Sequence, residues 1–190
     1  MKYNISYQIE PIDNEQLMKY FKPEEVFSYC SACPNHARIW SCPPHDISIN
    51  DYLSVYNQIW IIGAKLNLNH EWIDENNKEQ SVMNVFLEAR KQFGDKLFEL
   101  EKNYSKSNIL LAGTCYQCKE CTRDDGKECR FKDKLRYSLE SIGFLVSDIV
   151  RDVLKNEIRW IKDGEVPVYL LSVGALMLEE PVDELLSILD

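Results

Sequence analysis

A chain of 190 residues with 45% apolar content can bury a core of its own and needs no covalent staples to fold. A formal net charge of −9 and an isoelectric point near 4.9 argue against a general nucleic-acid binder, because phosphate contacts need a dense field of Lys and Arg. The N-terminus, MKYNISYQIE, lacks the charged head and apolar run of a secretory signal, and no stretch approaches the roughly eighteen apolar residues of a membrane span, so a cytoplasmic protein is expected.

Seven cysteines in a reducing cytoplasm point to metal binding or redox chemistry, and an odd number fits poorly with a closed set of disulfides. No repeat, low-complexity tract or flexible linker divides the chain, so residues 1–190 read as a single domain.

In chain order, YNISYQI (3–9) alternates as a strand, and NEQLMKYF after Asp13 reads as a short helix with that Asp as N-cap. From Cys30 to His45 the periodicity disappears, and Pro34, Pro43 and Pro44 mark an ordered loop. QIWIIGAKL (58–66) is a β-rich, nearly continuous apolar run suited to a central strand. His70 lies in a polar stretch and reads as a solvated side chain. Val82, Phe86, Ala89, Phe93, Leu97, Leu100 and Tyr104 step by threes and fours along one face of a long amphipathic helix.

NILLAG (108–113) is a buried strand running into the second cysteine segment, with Gly113 placed to let the backbone approach a bulky cofactor. KLRYSLESIG reads as a helix closed by Gly143, and FLVSDIV as a short strand passing into helix. VPVYLLSVGALML is another strand, and PVDELLSIL a last helix opened by Pro181. Strands alternate with helices, which predicts an α/β fold: a central mixed or parallel sheet flanked by helices, carrying two cysteine-rich metal-binding loops at 30–45 and 115–130.

CYQCKECTRDDGKEC places Cys115, Cys118 and Cys121 in a C-x2-C-x2-C rhythm, with Cys129 after seven more residues. Three thiolates at that spacing wrap one face of a cuboidal 4Fe-4S cluster, while the turn dipeptide Asp125-Gly126 can fold Cys129 back to the same site. The cluster's negative charge would be met by the local excess of basic residues, Arg130 among them, and by the N-terminus of the helix expected after Cys129. The alternative is structural zinc on four cysteines, although zinc knuckles generally pair two separated C-x2-C arms.

CSACPNHARIWSCPPH offers Cys30, Cys33 and Cys42 with His36 and His45 nearby. Zinc on three cysteines and a histidine, a second cluster with one iron open to a ligand, and thiols without metal all remain open. Trp40 and Tyr29 are candidate apolar walls of this loop, so that Gly113, Arg130 and Trp40 are the residues expected to contact a cofactor.

The combination C-x2-C-P-N-x4-W-S-C-P-P, then G-T-C-x2-C-x2-C-x4-G-x2-C-R, then L-R-Y-S-L-E-S-I-G-F-L-V, resembles a family of predicted metal-binding proteins of anaerobic archaea and bacteria, domain of unknown function 2284. The resemblance spans about Cys30 to Val146. It implies a metal, iron-sulfur above all, held by Cys115, Cys118, Cys121 and Cys129 and also by Cys30, Cys33 and Cys42. In the family's pattern the position of His36 is aromatic and that of His45 is not fixed, which weakens zinc held by three cysteines and a histidine.

Three functions compete. The first is an electron carrier serving a redox partner protein through the 115–129 cluster. The second is an enzyme binding a small-molecule substrate at an open iron held by Cys30, Cys33 and Cys42, in a pocket lined by Trp40, His36, Arg38 or His45. The third is a zinc-stapled binding module. No G-x-G-x-x-G, P-loop, H-E-x-x-H or G-x-S-x-G motif selects a familiar enzyme.

Overall fold

The computed structural model describes residues 2–69, 71 and 77–185, so His70 lies outside the described residues. Four strands, β1 (Tyr3–Ile12), β2 (Gln58–Leu68), β3 (Ser107–Leu110) and β4 (Tyr169–Leu178), pair in the order β1-β2-β4-β3. Every pairing is antiparallel: Tyr3 lies opposite Leu68, and Leu178 lies opposite both Gln58 and Ser107.

The expected mixed or parallel sheet is therefore corrected to an antiparallel one, and burial explains the misreading. Trp60, Ile62 and Ala64 of β2 and Leu176 and Leu178 of β4 face one apolar layer, while Ile59, Ile61, Val173, Ala175 and Met177 face another. Strands covered on both faces lose polar alternation and read as continuous apolar runs, the pattern usual for parallel sheets.

The first layer is the helix α4 (Lys78–Glu101), whose Phe93, Leu97 and Leu100 lie on Trp60, Ile62, Ile109 and Leu176. The second is built from short pieces. It includes α1 (Asn14–Met18), α3 (Ile49–Leu53) and α5 (Val146–Asp152), with Leu17, Leu53, Phe144 and Ile149 against the sheet. As expected, Asp13 caps α1. Its carboxylate accepts from the Gln16 amide at 2.7 Å, and the Gln16 side chain accepts from the Asp13 amide at 2.9 Å. The helix α2 (Pro23–Ser31), opened by Pro23 and carrying Cys30 in its last turn, was not anticipated.

The helix expected over KLRYSLESIG is replaced by two 3-10 turns, Lys132–Lys134 and Glu140–Ile142, around an extended stretch. Here the Tyr137 carbonyl accepts from the Leu111 amide at 2.7 Å, and Ser138 forms a parallel bridge with Leu111. Ser138 and Ser141 also bond each other's backbone at 2.9–3.2 Å, which diverts groups a helix would use. Gly143 ends the second turn at φ 98, a value that favours glycine. Residues 181–185 of the last expected helix are not helical, and the remainder lies outside the described residues. Among the described residues no helix is long and apolar enough to cross a membrane.

Contact between α4 and β4 depends on Gly174, where a Cβ would lie 2.6 Å from Leu97 Cδ1 and 2.8 Å from the Leu110 carbonyl oxygen. Gly174→Val should destabilise the fold by about 1–3 kcal/mol through overpacking. Leu87→Ala, at an exposed position of α4, should stay within about 0.5 kcal/mol. Urea unfolding midpoints check both.

Candidate metal centre

Beyond β3 the chain passes Gly113, whose φ is 74, and enters the four-cysteine loop. A Cβ at Gly113 would sit 2.8 Å from Nη1 of Arg90, so the space beside this glycine is taken by an α4 side chain rather than left for a cofactor. Tyr116 packs its ring on α4 where Gly94 leaves room, and its hydroxyl donates to Asp95 Oδ1 at 3.1 Å.

The Asp125-Gly126 turn forms as its residues predict. Gly126 adopts φ 67, its amide donates to the Arg123 carbonyl at 2.9 Å, and the Lys127 amide donates to the Thr122 carbonyl at 3.0 Å. Thr122 is buried, and its hydroxyl donates to the Glu128 carbonyl at 2.8 Å, drawing the chain back before Cys129. The result is one cavity of about 630 Å³ lined by Cys115, Cys118, Cys121 and Cys129 together with Trp40 and Arg130. Burial pushes the Cys115 thiol up; a Gln117 backbone hydrogen bond opposes this, and the thiols of Cys129, Cys118 and Cys121 add to the rise.

Cys30, Cys33 and Cys42 sit on a tightly wound segment following α2. The Cys33 amide donates to the Cys30 carbonyl at 3.0 Å, His36 to Cys33 at 3.1 Å, and Cys42 to Ile39 at 2.9 Å. The Ala37 amide, at φ 58, donates across the loop to the Pro43 carbonyl at 2.8 Å. Cys33 is exposed, Cys30 half-buried and Cys42 buried. Burial is the main reason the Cys42 thiol is pushed up to about 11, with the Cys33 and Cys30 thiols contributing. Cys30 is raised by burial, then by Cys33 and by the carboxyl of Glu140. Each set of thiols thus acts on its own members.

The two loops are locked together across some eighty residues of sequence. Arg123 Nη1 donates to the carbonyls of Ile39, at 2.9 Å, and Cys42, while Nη2 donates to that of Pro44 at 2.7 Å. Its guanidinium also lies 5.1 Å from the centre of the Trp40 ring. The indole Nε1 of Trp40 donates to the Lys127 carbonyl at 3.2 Å, and buried Ser41 accepts from the Cys115 amide at 2.9 Å. Arg38 and Asp124 add an exposed ion pair, Nε lying 3.0 Å from both carboxylate oxygens.

Some expectations change. Trp40 lines the four-cysteine cavity rather than walling the three-cysteine loop, and Tyr29 is 64% exposed. Arg130 lines the cavity and donates to the Glu120 carbonyl at 2.9 Å. The helix N-terminus expected after Cys129 is absent; a three-residue 3-10 turn stands there. Of the residues expected to line a substrate pocket, Trp40 and Arg38 line the four-cysteine cavity, while His36 and His45 line a separate cavity of about 530 Å³ with Phe21, Phe27 and Pro43.

Ser41, Thr122 and Arg123 escaped the sequence reading. Ser41 and Thr122 each adjoin a cysteine, and that adjacency is the signal that could have found them. Among the described residues no three His, Cys, Asp or Glu side chains converge as they would around a single ion.

Fold and site define a class, an α/β protein whose antiparallel sheet supports two interlocked cysteine loops, one of them enclosing a cavity lined by four thiols. The chain belongs to the family of predicted metal-binding proteins DUF2284, which matches residues 17–177, a span that includes both loops. No curated protein and no solved structure matches it.

Arg123→Ala removes three charge-assisted hydrogen bonds to carbonyls and should cost about 2–3 kcal/mol in denaturant unfolding, whereas Asp124→Ala, which breaks an exposed ion pair, should leave the midpoint nearly unchanged. His45 carries a pH dependence. Burial, and then the Arg123 charge, push its imidazole from 6.5 down to about 4. As pH falls the unfolded chain takes up this proton first, so the stability tied to neutral His45 is whole above about 6.5 and is lost toward about 4. His45→Gln should flatten stability over that window, and an unchanged slope would remove His45 as its cause.

Proposed function

We propose that Cys115, Cys118, Cys121 and Cys129 hold a 4Fe-4S cluster in the cavity they line, and that the protein is a cytoplasmic one-electron carrier for a redox partner protein. The observation carrying this reading is the single cavity of about 630 Å³ reached by all four thiols of one loop.

The donor set fits. A cube gives each thiolate its own iron and spreads the four over a larger volume, which suits an open cavity. When bound, such a cluster supplies one-electron chemistry at a potential set by charge, hydrogen bonds to sulfur and solvent exposure.

The chain's own residues prepare the site. Ser41 and Thr122 hold the loop backbone by buried hydrogen bonds. Trp40 and Tyr116 cover the cavity with aromatic surface, and Arg130 brings a positive charge to its wall. These features favour a carrier over a zinc module. The split between the Trp40 and His45 sides of the loops removes support for one substrate pocket spanning them.

Iron, acid-labile sulfide and zinc should be measured in protein purified without oxygen, with visible spectra before and after dithionite. At least about four irons and four sulfides per chain, with a broad absorbance bleached on reduction, are expected. Cys118→Ser/Cys121→Ser should lose about four of each. Stoichiometric zinc without iron, from cells supplied with iron, would overturn the assignment and leave a zinc-stapled binding module.

A further inference from the structure

Strand β1 forms one edge of the sheet and pairs with β2 alone, so its other side carries backbone that no strand satisfies. The register shows which residues those are. The Leu68 amide donates to the Val168 carbonyl at 3.0 Å, toward β4, and the Asn69 amide donates to the Lys2 carbonyl at 3.0 Å, toward β1. With Lys2 turned toward β2 and an unbroken register from Tyr3 onward, the alternation of an antiparallel ladder turns the amides and carbonyls of Tyr3, Ile5, Tyr7 and Ile9 outward. Among the described residues no backbone hydrogen bond from a turn or loop reaches them.

This edge lacks the devices that keep exposed strands apart. Such edges are usually blunted by lysine, bulges or short length, whereas β1 runs for 10 residues, its single charged residue is Glu10, and its proline, Pro11, stands near the end. Helix α4 packs on β4, β3 and β2. The β1 residues on the same face, Tyr3, Ile5, Tyr7 and Ile9, are left half-buried. Free backbone and a half-covered apolar row thus lie along one edge, the combination a further strand would complete.

We propose that β1 pairs antiparallel with β1 of a second copy of this chain, about a two-fold axis at Ser6, so that two sheets become one. Outward-facing residues must meet outward-facing ones, which sets an axis near the middle of the strand at Ile5, Ser6 or Tyr7. At Tyr7, Pro11 would fall opposite Tyr3 of the second copy, and its missing amide hydrogen would cost the ladder a bond. At Ile5, Glu10 would pass the start of the opposing β1 and Lys2 would face Gln8. Ser6 avoids both. There Ile5 lies opposite Tyr7 of the second copy and Tyr3 opposite Ile9, aromatic and β-branched pairs on the α4 face, while Lys2 lies opposite Glu10 of the second copy, unlike charges at both ends of the ladder. This self-complementarity selects a second copy over an unrelated strand, and it does not depend on what the cysteines hold.

The test is the mass of the full chain, purified without oxygen, by sedimentation equilibrium at micromolar concentration. Twice the 22.3 kDa of one chain is expected. Ser6→Lys, at an exposed position, sets two lysines across the axis and should return the mass to one chain with an unchanged circular dichroism spectrum. Glu10→Lys faces Lys2 with a like charge and should weaken the dimer about tenfold, and Lys2→Glu/Glu10→Lys should restore it. On brief oxidation Ser6→Cys should link two chains above the wild-type background, because a non-hydrogen-bonded antiparallel pair brings its Cα atoms to about 4.5 Å. Asn4→Cys, whose counterpart is Gln8, should not. A single-chain mass for the wild type would overturn the proposal, as would a dimer that Ser6→Lys and Glu10→Lys both leave intact, equal linking through Asn4→Cys, or a complex with a different chain alone that Ser6→Lys releases.

Discussion

The guanidinium of Arg123 is the joint on which the site depends. It bonds the two cysteine loops, one from the end of α2 and one from the end of β3, through more backbone carbonyls than any other side chain. Their backbones carry carbonyls that no sheet or helix satisfies, and Arg123 gathers three of these, from Ile39, Cys42 and Pro44, while stacking on Trp40. A charged donor in a half-buried place makes stronger bonds than a neutral one, and the planar fork of arginine suits carbonyls at several angles. The bonds from the Cys115 amide to Ser41 and from Trp40 to the Lys127 carbonyl then fix the remaining freedom.

The sheet makes this joint possible by where it ends. β3 is short and lies at the edge, so the chain leaves it after Leu110 without having to pass another strand. The Leu111–Ser138 bridge continues the alignment for one more step, on the side where the Glu140–Ile142 turn approaches α2. Helix α4 supports the loop from the opposite layer, through Tyr116 at Gly94 and Arg90 at Gly113. A thiol-lined cavity therefore rests on two packed layers and a sheet edge, and its walls need little further ordering when a ligand binds.

How much of this could be read in the sequence varies with the range of the interactions. β1 and α4 were legible because burial stamps a period on each, β2 and β4 because they are unbroken β-rich apolar runs, and the Asp13 cap and Asp125-Gly126 turn because their bonds close within a few residues. The antiparallel pairing was not, since strands buried on both faces carry no mark of direction. KLRYSLESIG has helical spacing, but Ser138 and Ser141 bond locally and the Tyr137 carbonyl belongs to Leu111, so tertiary contacts override its propensity. Arg123 was invisible as a clamp because its partners are backbone carbonyls some eighty residues away.

Charge at the loops differs in kind from the basic patch that composition suggests. Lys127 pairs with Asp125 at 3.2 Å and Lys132 with Glu128 at 2.9 Å, and Arg38 is taken by Asp124. Arg123 and Arg130 instead spend N–H groups on carbonyls, which leaves their positive charge uncancelled by those bonds and aimed at the cysteine segments. The Arg123 charge, half withdrawn from water, acts on a bound anionic group more strongly than an exposed lysine would, because screening falls with burial. The outward face then presents paired charges on a chain of net charge −9. Association with a partner would rest on local complementarity near the loops, since the net charge of the chain is acidic.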